Sequence, residues 1–283
     1  MIPSASESAR LAVYCYGAET VGPVDMPPVA SQNGPEAAQP MGGPPLPAWM
    51  GTRLSLVGWV TGRDALLEGL LNLDSRRVFY GWLCREQDGK AVLIIRGTQS
   101  FAEWAIDGEF LPMSVHPIEG DVETGFWSLF STLEFRDLKG ADHSLCIGVA
   151  HALEPGETVT VTGHSLGAAL ATYACAALAA NDVPVRGRFI ASPRPGDREF
   201  RDYFGRTVPD GWAYARSNDL VPTVPRGFGY SPIPNLVTLP IDPEIPDNLA
   251  DNHHALSYAW TLDPSSLDLL PDGIKSVPWI LAA

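Results

Sequence analysis

The stretch that decides the fold is Glu157-Thr158-Val159-Thr160-Val161-Thr162-Gly163-His164-Ser165-Leu166-Gly167-Ala168. Its first five residues form a β-branched run that reads as a buried strand. After the serine, the thirteen residues 168–180 are rich in Ala and Leu and read as a helix. Between them stands Gly-x-Ser-x-Gly, a motif with chemical meaning only when a strand precedes it and a helix follows. Both flanks are right here. So tight a turn needs Gly163 and Gly167 without side chains, where strand and helix nearly touch. It lifts the Ser165 hydroxyl above the sheet, at the positive end of the following helix. The competing reading, a glycine-rich helix start with an incidental serine, explains neither flank.

Working outward, the pattern alternates strands with helices. Residues 6–16 read as a helix with Ala9, Val13 and Tyr16 on one face. Strands are expected at 78–84 and 91–95, joined by a hairpin at Asp88-Gly89. Leu93-Ile94-Ile95 is wholly apolar, as suits a strand covered on both faces. Helical patterns follow at 124–133 and 143–153, and further strands at 188–191 and 212–216. Such alternation predicts an α/β fold, a mostly parallel central sheet with helices on both faces. No repeat and no dividing linker is visible, so one domain over 1–283 is expected. Residues 21–47 form an insert with eight prolines and four glycines, and 221–247 carry seven more prolines. The insert cannot sustain a helix or a central strand. It reads equally as a disordered segment or as an ordered loop over the domain.

At 45% hydrophobic and 18% charged, 283 residues suffice for a substantial core. A net charge of −14 argues against nucleic acid and anionic membrane surfaces as partners; a neutral ester or lipid is compatible with it. Cys15, Cys84, Cys146 and Cys175 form no CxxC pair and no zinc spacing. The opening residues lack a basic region followed by an apolar one, and no apolar run is long enough to span a bilayer. The expectation is a soluble protein without stable membrane insertion, cytoplasmic by default.

A serine hydroxyl needs a base within hydrogen-bond reach, and that base needs an acid to hold its tautomer. With the nucleophile first, the acid and then the histidine follow along the chain. Only His253 and His254 lie beyond Ser165. His164 lies inside the motif and would point away from the hydroxyl; His116, His143 and His151 come too early. Asp219 is the favoured acid because it lies just past the strand at 212–216, at the carboxyl edge where the catalytic groups of open sheets gather. Asp210, Asp242, Asp247 and Asp251 read as solvated turn residues. A metal site among Asp247, Asp251, His253 and His254 is disfavoured, since adjacent histidines serve one ion poorly. The oxyanion needs fixed donors: the Leu166 amide, and a second from Arg96-Gly97-Thr98-Gln99-Ser100, where Gly97 permits close approach and Thr98 offers its amide and hydroxyl.

These residues resemble the class 3 lipases, the fungal-lipase-like branch of the α/β-hydrolases. The likeness is carried by 94–100, 162–170, 191–196, Ser217-Asn218-Asp219-Leu220-Val221-Pro222 and 253–262, in the family's order. It implies Ser165 as nucleophile, Asp219 as acid, and Thr98 with Leu166 as oxyanion donors. The family's histidine opens a helix with Tyr five residues on, which selects His253 and Tyr258; a second register, with Leu256 two residues after the base, selects His254. In the family a short helix after the Arg-Gly-Thr segment can act as a lid. Here Phe101, Trp104 and Ile106 would form its apolar side, unless that helix simply packs in the core. Two features depart from the pattern: Glu123 stands where these lipases often carry His, and the 21–47 insert has no counterpart.

The expected activity is that of a carboxylic ester hydrolase acting on acylglycerols or related lipids without a cofactor. Two other readings stay open: an acyltransferase using the same acyl-enzyme, and a silent hydrolase-fold binding protein.

Overall fold

The computed structural model describes residues 2–26, 43–63, 77–97 and 110–272. Thr98, Phe101, Trp104, Ile106 and positions 27–42 of the insert lie outside the described residues. The chain begins with helix α1 (Ala5–Val21) and a single turn, α2 (Ala48–Gly51). Strands β1 (Leu54–Arg63), β2 (Arg77–Glu86), β3 (Ala91–Ile95), β4 (Pro112–Ser114) and β5 (Asp121–Glu123) follow. Next come α3 (Thr124–Phe130), β6 (Glu134–Asp137), β7 (Asp142–Ser144), α4 (Leu145–Ala152), β8 (Val159–His164) and α5 (Leu166–Ala179). The described chain is completed by β9 (Val185–Ile190), α6 (Arg198–Thr207), β10 (Gly211–Arg216), β11 (Leu236–Leu239), α7 (Leu249–His253) and α8 (Ala255–Leu262).

Nine strands form one sheet in the order β11-β10-β9-β8-β3-β2-β1-β6-β7. From β3 to β11 the pairings are parallel, and from β3 outward through β2, β1, β6 and β7 they are antiparallel. The parallel part carries the candidate site. The antiparallel flank contains three strands that the sequence pattern hides, β1, β6 and β7. In β1, Gly58 and Gly62 interrupt the side-chain alternation because a Cβ there would run into Phe135, and into Leu133 and Tyr80. The helix expected over 143–153 begins later than that. Residues 142–144 pair with β6, and the helix starts only at Leu145.

Helices cover both faces. On one, α3, α4, α5 and α6 bury Phe126, Leu129, Val149, Leu170, Tyr173, Phe200 and Phe204 against Leu93, Ile95, Val159 and Val161. On the other, α1 covers Val92 and Ile94, together with Phe79 and Trp82 of β2. Its neighbour α8 lies against Ile190 of β9 and Tyr214 of β10. Every residue of β3 is buried, as its unbroken apolar sequence requires. Helix α5 is likewise buried almost all round, so its small residues serve packing rather than amphipathicity. The described flanks of the proline-rich insert are anchored. The Met26 amide donates to the Arg77 carbonyl at 2.7 Å, and the indole N–H groups of Trp59 and Trp82 both donate to the Pro44 carbonyl.

Gly81 fixes the middle of this sheet. It pairs with Val60 on one side and Ile95 on the other, its φ is +153°, and a Cβ there would lie 1.9 Å from the Ile94 carbonyl oxygen. Gly81→Ala is therefore expected to cost about 2 kcal/mol or more. Urea unfolding followed by circular dichroism measures it, and an unmoved midpoint would contradict the close approach.

Candidate active site

The bend between β8 and α5 places Ser165 at φ +57°, ψ −133°, a conformation L-residues adopt only under constraint. The glycines on either side supply the constraint. A Cβ on Gly163 would stand 2.2 Å from the Gly167 carbonyl oxygen, and one on Gly167 would stand 2.3 Å from the Ile95 carbonyl oxygen. Only bare backbone fits between β3, β8 and α5. The Ser165 amide donates to the Ile190 carbonyl at 3.0 Å, tying the bend to β9. Leu166 opens α5, where the first amides have no acceptor within the helix. Gly97 lies against the same bend: a Cβ there would come 2.9 Å from the His164 carbonyl oxygen and 3.3 Å from Ser165 Cβ. Thr98, one residue on, lies outside the described residues.

Asp219 follows β10 after a turn in which its amide donates to the Arg216 carbonyl. One carboxylate oxygen, Oδ1, accepts the Val221 amide at 3.0 Å. The other, Oδ2, accepts from His253 Nδ1 at 2.8 Å and from the Tyr258 hydroxyl at 2.6 Å. His253, the last residue of α7, sets Nε2 2.7 Å from Ser165 Oγ. A carboxylate can only accept, so the proton rests on His253 Nδ1 and the Nε2 lone pair faces the serine hydroxyl. All three residues are buried, and the Asp219 side chain is fully enclosed. Of the two histidines left open by the sequence, His253 meets Ser165 and Asp219. His254 instead accepts the Leu256 amide on Nδ1, capping α8, and packs its ring on Tyr16.

Several supporting residues escaped the sequence reading. Asp247, expected as a solvated turn residue, accepts from the Asn252 amide at 2.8 Å and from the Asn218 amide at 3.0 Å. Those two bonds hold its carboxyl below the usual range. The Asn218 amide also reaches Asn252 Oδ1 at 2.8 Å, so the loop bearing the acid is laced to α7, which bears the histidine. The only sequence signal was that each asparagine immediately precedes a candidate, Asp219 or His253. Arg216, wholly buried, donates its amide to the Tyr258 hydroxyl and reaches the Asp251 and Asn252 carbonyls at 3.4 Å. Glu123, the departure noted above, is buried and caps α3 by accepting the Phe126 amide at 2.7 Å. Burial raises its pKa, and backbone donors only partly offset that. His164 turns away from the hydroxyl. Its Nδ1 lies 2.6 Å from Glu19 Oε1 and its Nε2 2.6 Å from the His253 carbonyl oxygen. Among the described residues, no three His, Cys, Asp or Glu side chains gather as a metal site would need.

Known proteins resemble this chain over part of its length. Residues 92–228 match the family model described as lipase (class 3). The chain is similar to phospholipase A1-II 2 of Oryza sativa subsp. indica, at 32% identity over 144 residues, covering 41% of this chain and 36% of that protein. It is also similar to secreted mono- and diacylglycerol lipase A of Penicillium cyclopium, at 28% identity over 148 residues, covering 51% and 46%. The matched part thus spans less than half the length of these curated relatives. A crystal structure of a Penicillium cyclopium MDLA variant superposes with a TM-score of 0.56 at 21% identity, covering 86% of this chain and 81% of that one; this likeness concerns the fold. Over residues 92–228 the chain is thus similar to the class 3, fungal-lipase-like lipases, and its fold is that of an α/β-hydrolase.

Proposed function

We propose that the protein is a serine hydrolase that cleaves carboxylic esters, with acylglycerols or related lipids as substrates. One observation supports this above all: His253 bridges Ser165 Oγ and Asp219 Oδ2 through its two ring nitrogens, at 2.7 and 2.8 Å. Ser165 Oγ attacks the ester carbonyl as His253 Nε2 takes its proton, and Asp219 stabilises the imidazolium. The amides of Leu166 and Thr98 would hold the oxyanion. His253 then returns the proton to the departing alcohol, and a water activated by the same nitrogen releases the acid and frees the serine. No step calls for a cofactor. The whole chain would act as one hydrolase domain.

The substrate class follows the printed names of the relatives, which are phospholipases A1 and mono- and diacylglycerol lipases. The second of these relatives is named as secreted, so the cytoplasmic placement expected from the sequence is not carried forward. Among the described residues, no helix is long and apolar enough to cross a membrane.

A fluorophosphonate probe tests the nucleophile. Wild-type protein should be labelled and Ser165→Ala should not, with ester cleavage falling by about a thousandfold or more. Near-native turnover in that variant would refute the assignment. His253→Ala should lose activity to a similar degree, whereas His254→Ala should stay within about tenfold of wild type; the reverse ranking would exchange their roles. Tyr258→Phe should lower unfolding stability by about 1–3 kcal/mol in urea titrations, because Asp219 and the Arg216 amide each lose a buried partner. Rates on p-nitrophenyl esters from two to sixteen carbons, set against emulsified triglyceride, would fix the acyl preference.

A further inference from the structure

Behind the base lies a second polar pair that the proposed reaction does not use. Glu19 sits on α1, its side chain retaining 22% of its exposure, with Oε1 2.6 Å from His164 Nδ1. His164 is buried, and its other nitrogen stands 2.6 Å from the main-chain oxygen of His253. The two histidine rings are 4.7 Å apart, centroid to centroid. A carbonyl can only accept, and so can a carboxylate. An imidazole serving both must therefore carry two N–H groups, so the pair is an imidazolium and a carboxylate.

The surroundings agree with that protonation. Burial pushes the His164 imidazole down, but the Glu19 charge and hydrogen bond, the His253 carbonyl and the Asp219 charge together outweigh it and leave the group above its ordinary value of 6.5. Burial pushes Glu19 up, but the His164 charge and hydrogen bond, with smaller contributions from His254 and His253, together outweigh it and leave the carboxyl below 4.5. Several other groups face the pair. His254, lowered chiefly by its own burial, and Tyr16 and Cys15 stand near Glu19, while Asp251 stands near His254. On the other side of His164 are His253, Asp219 and Tyr258, the last with its ring 6.3 Å away.

We propose that Glu19 and His164 are positioning residues for His253. His164 holds the main chain of the base while Asp219 holds its side chain, and Glu19 keeps both nitrogens of His164 protonated. The inference rests on the serine-hydrolase reading above. Without a partner on Nδ1, the buried His164 gives up its second proton, and the His253 carbonyl loses a charge-assisted donor. Misplacing a base by a fraction of an ångström slows the chemical step more than it weakens substrate binding.

The sign of the pH dependence follows. The contribution of Glu19 is present above 4.5 and fades as pH falls through its lowered value; that of His164 is present below 6.5 and fades as pH rises through its raised value. On the alkaline side, neutral His164 has one N–H for two acceptors. A glutamine at position 19 would donate its amide to Nδ1 and leave Nε2–H on the His253 carbonyl at every pH.

The test measures fluorophosphonate inactivation of Ser165 and p-nitrophenyl butyrate turnover from pH 5 to 10 in wild type, Glu19→Gln and Glu19→Leu, with circular dichroism for folding. Glu19→Leu should lose about tenfold or more in inactivation rate and kcat with KM held, and Glu19→Gln should recover most of the loss at neutral pH. The wild type should slow on the alkaline side, and Glu19→Gln should not. A folded Glu19→Leu variant with the wild-type rate overturns the proposal, as does a Glu19→Gln variant as slow as Glu19→Leu. If Glu19→Leu does not fold, the comparison of wild type with Glu19→Gln decides alone, and superimposable pH profiles overturn the inference. Failure of wild-type protein to react with the probe would instead sink the serine-hydrolase reading itself.

Discussion

The structure turns on the close approach of Gly163 to Gly167 around Ser165. Strand β8 and helix α5 meet so tightly that neither glycine can carry a methyl group, and the serine between them is held at φ +57°. Such strain persists only when the surroundings over-determine it. Here they do: β3 and β9 flank β8 with continuous parallel pairing, and α5 is buried along nearly its whole length. The sheet is the frame and the bend is its consequence. A hydroxyl presented this way needs no flexible loop to carry it.

That economy explains why the parallel half was legible in the sequence. Strand β3 is a continuous apolar run, the flanks of Ser165 switch cleanly from β-branched to Ala-rich, and Asp219 falls directly after β10. Local composition and global position agree at each of these points. The antiparallel half is harder to read because its packing is complementary across strands. Gly58 and Gly62 look like strand breakers until Phe135, Leu133 and Tyr80 are seen filling the space above them. Strand β11 hides similarly in a proline-rich stretch, since its burial is slight and its pairing is with β10 alone. Sequence periodicity reports only how a segment treats its own two faces.

The choice between His253 and His254 shows a finer limit. Two adjacent histidines before a helix satisfy the same motif, and either could cap it. The end of α7 decides: His253 closes that helix facing Asp219, and the chain turns before His254 caps α8. The roles of Asn218, Asn252 and Asp247 were invisible for a related reason. Asn218 and Asp247 are ordinary loop residues alone and Asn252 lies within the short α7, and together they lace segments more than twenty-five positions apart.

The family match ends at residue 228, before His253, and begins at residue 92, after Glu19. Both flanks nonetheless converge on the bend. Helix α1 packs Ala12 and Val13 against Leu256, Tyr258 and Ala259 of α8. That apolar contact brings a carboxylate from the start of the chain and a histidine from near its end to opposite nitrogens of His164. His164, inside the motif, thus hydrogen-bonds to both flanks. The x of Gly-x-Ser-x-Gly is read as a free position when the motif is considered alone. In this chain it joins the nucleophile's strand to the two elements that the family segment leaves out.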